Sequence, residues 1–512
     1  MSHPNPKRFL AAALAAIAIV PTIAACTATP EEGSAPQLTI ALPSAPTSLD
    51  PSQGSGGQNS IFQVPAYQGL LHISGNADVV PSLADSFEWT DDTNTQLTVK
   101  LHPDLKFSDG TDLNADAVKT SIEHFKEGQS VFSYVAASIA SIETPDPLTV
   151  VFNLSEPTPA LPTYLAENTG MGSIISPQAL DDGVNLGTTT VGAGPYVLAE
   201  SETVQGSVYT YTPNEHYYDQ DAIKFGEIEI RVIENANTAL SALQSGQVDV
   251  AYGQTDTFET ATQAGLSTVA FPTNINGLWL QDQKGEVVPA LGDVRVRQAL
   301  QYAVDRASIA DAVTLGAGAA TYQSVTPDSL GYDASLELIY DYDVAKAESL
   351  LAEAGYPDGF TMEITAAPGP DNTTLAQAIA EQFGKIGVVV NIIPSSTFPE
   401  YAQQQESGAY SGTVVGLGMQ GMLDAMSNVF GPSALVNPRH TDFADVNAAA
   451  AAASSESGDA GDEAWRDVNR MTVEQALVVP VTTIPSLYYW ADTVTGVDGS
   501  SMMNPVFWSP AE

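Results

Sequence analysis

Apolar and polar residues alternate along several stretches of this chain. Residues 97–101, 148–154 and 228–232 carry an apolar side chain at every second position. Because successive side chains of a strand point to opposite faces, each stretch predicts a β-strand with one buried face. Charged residues fill the positions between in the last stretch, which predicts that one side of its sheet meets water.

Apolar residues recur three and four positions apart in other stretches. A stripe after Asn114, the segment 293–313 and the segment 343–355 each show the spacing of an amphipathic helix. Each begins with a residue type that caps helix N-termini, with Asp293 and Asp343 in the second and third. Strands and helices are interspersed along the whole chain, which predicts a mixed α/β fold.

The first apolar run is of another kind. Residues 9–20 are apolar throughout and directly follow Lys7 and Arg8. A membrane-spanning helix needs about 20 apolar residues, so this shorter run with a basic start predicts a secretory signal peptide over residues 1–25.

Cys26 is the one cysteine in the chain, so it has no partner for an internal disulfide. Residues 23–26, IAAC, resemble the bacterial lipobox, where the signal is cut and the cysteine receives lipid. Residues 26–36 then form the lipidated N-terminus and a polar tether. We therefore expect an extracytoplasmic protein, held by Cys26 to the outer face of the bacterial cell membrane.

The length and the net charge of the chain limit its number of domains and its possible binding partners. The chain has 512 residues, which is more than one core usually serves, so two or three domains are expected. Its 17 lysines and arginines face 61 aspartates and glutamates, giving a formal net charge of −44. A chain this acidic repels nucleic acid and anionic lipid surfaces, which excludes both as binding partners.

Motifs for catalysis and metal binding are missing from the sequence. It contains no G-x-S-x-G, H-E-x-x-H, Walker A or EF-hand pattern, and no two of its six histidines have metal-ligand spacing. Residues 416–421, GLGMQG, match the dinucleotide pattern, but no strand ending in an acid follows them. We expect no catalytic residue, cofactor or metal, and a tight binding loop or plain turn at 416–421.

Further motifs occur in a fixed order along the chain. They include the "SLDPS" loop at 48–52, the "KFSDGT" turn at 106–111 and "GAGPYVL" at 192–198. The matching stretches are 38–52, 81–123, 192–198, 243–250, 296–306 and 342–360. Together they resemble the family 5 extracellular solute-binding proteins, the oligopeptide, dipeptide and nickel receptors of ABC importers.

The resemblance implies a two-lobed, periplasmic-binding-protein-like α/β fold (type II, cluster C) with an extra subdomain in the first lobe. Lobe I would collect residues 37–60, 187–273 and 480–512, and the subdomain residues 61–186. Lobe II would span 274–479, with crossings between the lobes near 273 and 480.

The resemblance also implies ligand-binding residues in both lobes. On lobe I they are Gly57, Gln58, Asn59 and Tyr252. Trp279 lies near the crossing and is a candidate for either ligand contact or core. On lobe II the ligand loop 416–424 supplies Leu417, Gly418, Met419, Gln420 and Asp424.

The lobe II loop departs from the peptide-binding members of the family. Those relatives carry a glycine–tryptophan pair and then an aspartate that holds the peptide's amino terminus. Here Leu417 replaces the tryptophan, and Gln420 stands where the aspartate should be, unless a shifted alignment gives Asp424 that role.

The resulting expectation is a monomeric substrate-binding lipoprotein that captures a small solute, with a peptide as the default, and delivers it to an ABC permease. Receptors of the same fold for a sugar, a metal chelate or another solute remain open alternatives. A membrane-anchored extracellular hydrolase is the alternative from another functional class. The predicted secretion signal is the one sequence feature that supports it.

Overall fold

A computed structural model describes residues 35–511, apart from 55–57, 75–77, 92, 131, 156, 328, 420, 433, 457 and 498–503. The predicted signal peptide, Cys26, Gly57 and Gln420 therefore lie outside the described residues. Among the helices that the structure describes, none is long and apolar enough to cross a membrane.

The strands take up much of the chain from residue 37 onward. They are β1 (Gln37–Leu42), β2 (Leu71–Ile73), β3 (Val79–Pro81), β4 (Ala84–Trp89), β5 (Gln96–Leu101), β6 (Ile139–Asp146), β7 (Thr149–Leu154), β8 (Tyr196–Leu198), β9 (Val208–Pro213), β10 (Glu227–Val232), β11 (Val250–Gly253), β12 (Ser267–Leu280), β13 (Ala319–Ala320), β14 (Thr361–Ala366), β15 (Val389–Pro394), β16 (Gly412–Gly418), β17 (Val479–Trp490), β18 (Val494–Thr495) and β19 (Ser509–Pro510). β5, β7 and β10 confirm the three strands predicted from alternation, except that Leu148 lies in the turn before β7.

The helices are interspersed with these strands, as a mixed α/β fold requires. They are α1 (Gln58–Ile61), α2 (Ala115–Glu127), α3 (Ser133–Ala137), α4 (Leu161–Tyr164), α5 (Pro177–Asp181), α6 (Ala236–Gln244), α7 (Thr255–Gln263), α8 (Val294–Tyr302), α9 (Arg306–Thr314), α10 (Val344–Glu353), α11 (Pro370–Gly384), α12 (Phe398–Glu406), α13 (Met422–Ala425), α14 (Ala444–Ala453) and α15 (Gly458–Glu474). A π-helical turn, Met426–Phe430, follows α13.

Two of the three predicted helices are confirmed, and one is wrong in its extent. The Asn114 side chain caps α2 by accepting from the Ala117 amide, and the Asp343 side chain caps α10 through the Lys346 amide. The segment 293–313 is two helices, α8 and α9, instead of one. Asp305 has non-helical backbone angles and caps α9 itself, which the continuous apolar stripe had concealed.

The largest sheet among the described residues has 11 strands in the order β15-β14-β16-β12-β17-β11-β1-β10-β9-β8, with β13 beside β17. Two parallel groups lie within it, and we call β10, β1 and β11 the first strand set and β15, β14 and β16 the second strand set. The long antiparallel strands β12 and β17, here the crossing pair, join the two sets.

A separate sheet, β4-β5-β7-β6, packs against α2, and we call it the antiparallel layer. Its buried side chains form one cluster within residues 70–193. Another cluster covers the first strand set. Two further clusters take opposite faces of β12, with Leu278 and Leu280 in one and Ile275 and Trp279 in the other.

Asp50 and His124 tie the loop after β1 to the last turn of α2. The His124 Nε2 lies 3.2 Å from the Asp50 carboxylate and 3.1 Å from the Ser52 hydroxyl. The hydrogen bond with Asp50 raises the pKa of His124 against the effect of partial burial. Burial opposes ionisation of Asp50, but the hydrogen bonds from His124 and Ser52 outweigh it and lower the Asp50 pKa.

The pair predicts a specific pH dependence of stability. A raised His124 pKa gives stability that is complete below about pH 6.5 and is lost as pH rises through the folded-state pKa. A lowered Asp50 pKa gives stability that is complete above about pH 4 and is lost as pH falls through its folded-state value.

The difference in unfolding free energy between the wild type and His124→Gln should therefore shrink between about pH 6 and pH 9. Urea titrations at several pH values measure it. His102→Gln is the matched control, because the His102 ring lies 3.8 Å from a solvent-exposed Asp85. A wild-type advantage over His124→Gln that stays constant over this range contradicts the assignment.

Candidate ligand-binding site

The two strand sets point their carboxyl ends at each other. β11 ends with Gly253 opposite Leu487 of β17, and β16 ends with Gly418 opposite Asn274 of β12. In the crossing pair, Leu487 faces Ala270, so only a few residues separate the two carboxyl ends. The carboxyl ends of parallel strands are where open α/β sheets bind ligands. We call this region, with the middle of the crossing pair, the central site.

A β-bulge interrupts the crossing pair at the central site. The register shifts between Pro272 and Asn274, so Thr273 has no direct partner in β17. Its hydroxyl instead lies 3.1 Å from the Ser486 hydroxyl, and both residues are half-buried. Bulges re-aim side chains, and this one places two hydroxyls between the strand sets.

The second strand set brings the loop 416–424 to the central site. Leu417 and Met419 are buried in the same cluster, while Gly418 between them is exposed. The Met419 amide donates to the Thr273 carbonyl at 3.3 Å, which holds the loop against the bulge. Of these three predicted residues, Gly418 therefore presents its backbone, and the other two anchor the loop.

Trp279 packs in that cluster and has no exposed surface. Its indole Nε1 donates to the Val415 carbonyl at 2.7 Å. A buried indole with a satisfied N–H is a packing residue. Trp279 thus packs in the core behind β16 and holds that strand through the Val415 carbonyl.

Asp424 lies on α13 and is half-buried. Its carboxylate accepts a hydrogen bond, 3.1 Å long, from the hydroxyl of Tyr164 at the end of α4. Tyr164 belongs to the buried cluster of the antiparallel layer, and its ring centroid lies 6.0 Å from that of Phe132. This bond joins the second strand set's loop to the antiparallel layer across 260 residues of sequence.

Tyr164 is the site residue that the sequence did not reveal. No motif marks it, and a tyrosine in an apolar segment is usually a core residue. Only the tertiary structure places its hydroxyl against the Asp424 carboxylate, 260 residues away in sequence.

Asn59, on α1, holds the loop after β1. Its carboxamide oxygen accepts from the Thr47 amide at 2.8 Å, and its Nδ2 donates to the Ser48 carbonyl at 3.1 Å. α1, which also contains Gln58, packs against the 3-10 turn Glu167–Thr169 that follows α4. Asn59 therefore uses its polar atoms to hold the loop after β1, and its helix lies beside the turn that follows Tyr164.

Tyr252 lies near the carboxyl end of β11 and is half-buried. It faces Tyr488 of β17 edge to face, with ring centroids 5.1 Å apart and an interplanar angle of 83°. Burial raises the pKa of Tyr488, which keeps that phenol neutral. An aromatic pair thus flanks the bulge on the side of the first strand set.

A second residue that the sequence left unnoticed is Asn276, buried on β12 beside Gly416. An added Cβ on Gly416 would lie 2.6 Å from the Asn276 Oδ1, so a larger residue there would force the Asn276 side chain to move. That oxygen has no hydrogen-bond partner among the described residues. Among all the residues that the structure describes, no three histidine, cysteine or acidic side chains lie close enough together to hold a metal ion.

Comparisons with known proteins agree with this architecture. The sequence matches the family "Bacterial extracellular solute-binding proteins, family 5 Middle" over residues 78–432. The glutathione-binding protein GsiB of Salmonella typhimurium (strain LT2) is 30% identical over an alignment of 412 residues, and the match covers 77% of this chain and 77% of that protein.

Solved structures show the same fold. HbpA2 from Haemophilus parasuis has a TM-score of 0.80 at 22% identity, covering 93% of this chain and 100% of that one. NikA from Brucella suis in complex with Fe(III)-EDTA has a TM-score of 0.77 at 23% identity, with 93% and 100% coverage. The fold is therefore that of the two-lobed periplasmic binding proteins, and the chain belongs to the family 5 bacterial extracellular solute-binding proteins.

Proposed function

We propose that this chain is the substrate-binding lipoprotein of an ABC importer, and that it captures a small polar solute between two lobes. Binding proteins of this family deliver their ligand to an ABC permease. One observation carries the proposal: the carboxyl ends of the two strand sets face each other across the crossing pair. The Tyr164–Asp424 bond in addition joins α4 to α13, which follows β16. Such a site needs only shape and a few polar groups to bind a ligand.

The lobe boundaries remain part of the proposal. Lobe I, with residues 37–60, 187–273 and 480–512, would contain the first strand set, and lobe II, with residues 274–479, the second. The proposed crossings near 273 and 480 fall within β12 and β17, which supports them. Closure would then pivot on the crossing pair.

A peptide is the first ligand class to test, because the sequence resembles the peptide receptors of the family. The named relatives differ in ligand, since one is a glutathione-binding protein and another holds Fe(III)-EDTA. Leu417, which replaces the tryptophan of the peptide receptors, has a buried side chain that packs in the core and supplies no polar contact. A sugar, a metal chelate or another solute is the alternative within the same fold.

The anchored hydrolase has a weaker basis. Ser52, His124 and Asp50 do meet, but both Ser52 and Asp50 contact the same ring nitrogen of His124. A serine hydrolase needs the serine on one ring nitrogen and the carboxylate on the other. The Ser52 hydroxyl is also fully buried, which denies it to a substrate.

The central test is recovery of the natural ligand. A small solute should co-purify with the mature protein, be released on denaturation, be identified by mass spectrometry and rebind unchanged. At about 100 times its dissociation constant it should stabilise the fold by about 2.7 kcal/mol. A product that accumulates with time and protein concentration favours the hydrolase instead.

Variants of the lobe II loop extend that test to the contacts. If the solute carries an ammonium group, Asp424→Asn should weaken binding by about 2–5 kcal/mol and Gln420→Ala by about 1 kcal/mol. If the solute is uncharged, Gln420→Ala should be the more costly change. Asp462→Asn, exposed on α15, is the matched control. Unchanged affinity in both loop variants removes the loop from the site.

The Tyr164 hydroxyl is expected to favour the closed arrangement. A hydrogen bond to a charged group contributes about 1.5–3 kcal/mol, so Tyr164→Phe should weaken solute binding at least about tenfold. X-ray scattering should show a more expanded ligand-free protein. Tyr401→Phe is the control, because its hydroxyl lies 2.9 Å from Thr413 within the second strand set's own region. Equal affinities for both variants count against an interlobe role.

The lipid anchor has its own test at Cys26. Stable anchoring takes more than one acyl chain, because a single chain binds membranes only marginally. Cys26→Ala should therefore move the protein from the membrane fraction into the soluble extracytoplasmic fraction. Retention in the membrane equal to that of the wild type disproves the lipobox assignment.

A further inference from the structure

The position of every basic residue bears on which solute the central site can hold. The chain has 17 lysines and arginines, of which Lys7 and Arg8 precede the described region. The gaps within residues 35–511 contain no lysine or arginine. The structure therefore describes every other cationic lysine and arginine of the protein.

Those in the first strand set and the antiparallel layer are held away from the central site. Lys106 pairs with Asp112, Lys126 donates to the Ile139 carbonyl and Lys224 donates to the Asp221 carbonyl. Lys100 is exposed on β5, and the Lys119 side chain is largely exposed on α2.

Arg231 needs separate attention, because it lies near the carboxyl end of β10. Its guanidinium donates to Glu229 on the same strand and to the Gln247 carbonyl at 3.0 Å. Gln247 precedes β11, so the Arg231 side chain reaches back toward the amino end of the first strand set. It points away from the central site.

Two buried arginines lie in the region of the second strand set, and protein acceptors occupy both. Arg306 donates to the Pro480 carbonyl at 2.8 Å and lies 4.6 Å from the centre of the Tyr322 ring. Arg297 donates to the Gln475 and Leu291 carbonyls. Each guanidinium makes four hydrogen bonds to protein acceptors, and both side chains are buried, so these cations are held inside the protein and not at the central site.

Arg439 is the exception among the remaining basic residues of this region, because its side chain is largely buried and its Nε has no hydrogen-bond partner among the described residues. Its guanidinium donates to the Gly408 carbonyl, which precedes β16, so it lies toward the amino end of that strand and away from the central site. Arg295, Arg439, Arg466 and Arg470 pair with nearby acids. The exposed lysines are Lys284 beyond the far end of β12, Lys346 on α10 and Lys385 after the last turn of α11. None of them belongs to an element that ends at the central site.

Helix N-termini could replace basic side chains as anion sites, so they matter too. α7 begins directly after β11, and α11 begins shortly after β14. α6 also begins shortly after β10; its first turn has no acid, and the side chain of its N-cap Asn235 accepts from the Thr238 amide. The first turns of α7 and α11 carry the carboxylates of Asp256 and Asp371, respectively. These acids already use the favourable field of the helix N-terminus, and Pro370 of α11 has no N–H to offer.

We propose that the central site selects solutes without a free carboxylate, that is, polar solutes that are neutral or cationic where they are enclosed. A carboxylate buried without a cation loses its hydration and gains no compensating partner. Asp424, on α13 shortly after the end of β16, is a further negative group in this part of the chain. The inference rests on the proposed receptor function, and it sets this chain apart from a receptor for glutathione, which carries two carboxylates. It also narrows the peptide class proposed above to peptides whose carboxyl terminus is blocked.

Matched pairs of solutes test the selectivity. The mature full-length protein is titrated by calorimetry with trialanine and trialanine amide, and with glutathione and its diethyl ester. The form without carboxylates should bind at least tenfold tighter in each pair that binds. Equal or tighter binding of the free acid overturns the proposal.

The co-purified solute decides the same question if neither pair binds. A natural ligand without a carboxylate upholds the selectivity, and one with a carboxylate overturns it. If no solute co-purifies and no solute of either charge raises the melting temperature, the receptor function itself fails together with the inference. A bound natural ligand with a carboxylate leaves the receptor function standing and removes only the inference.

A gain of function provides a second readout. Gly418 is exposed at the end of β16, and an added Cβ would lie 3.6 Å from the Asn274 Oδ1, an ordinary contact. Gly418→Lys should raise the affinity for the free acid relative to the blocked form at least tenfold, whereas Gly418→Gln should leave that ratio unchanged. A folded Gly418→Lys protein with the wild-type ratio contradicts the proposal.

Discussion

The antiparallel pairing of β12 and β17 is the constraint on which the rest of the structure depends. These two strands join the first strand set to the second, and two of the buried clusters pack on opposite faces of β12. Their close approach requires a glycine at one point, because a Cβ on Gly277 would lie 2.4 Å from the Val479 carbonyl oxygen. Bulges at this pairing break the ladder where the ligand is expected, so the same strands connect the lobes and shape the site.

Closure of such a protein is a balance of small free energies. In the proposed receptor, the Tyr164–Asp424 bond would favour the closed arrangement before any solute is present, and a solute would add its own contacts to both lobes. A few hydrogen bonds therefore decide between open and closed states, because each is worth a factor of about ten in population. The buried clusters behind Leu417 and beside Tyr164 keep these groups in place.

The net charge of the protein and the charges close to the central site have different effects. The excess of acids is spread over the surface and acts on solubility and on distant partners. At the central site, what matters is which charged groups lie within reach of a ligand, and the described lysines and arginines either lie on other elements or donate to acceptors away from this site. The fold tolerates different ligands in different relatives, since specificity lies in a few side chains on a shared frame.

The sequence by itself determined the local elements and the family. Alternation marked β5, β7 and β10, and capping side chains marked α2 and α10, because these signals act between residues a few positions apart. The apolar stripe of 293–313 misled, because the cap at Asp305 that divides it is equally consistent with an internal polar residue. The motifs that identified the family are mostly turns, caps and helix stripes, and they required no knowledge of the tertiary structure.

Only the tertiary structure decided which of the candidate residues are buried and which polar atoms already have partners. Trp279, Leu417 and Met419 share a core, and Asn59 spends its polar atoms on a neighbouring loop. No local pattern marks Tyr164 or Asn276. The contacts of Tyr164 with Asp424 and of Asn276 with Gly416 form only when remote segments of the chain come together. The physical reason is that burial and hydrogen-bond partners arise from contacts between remote segments, which no local pattern of residues records.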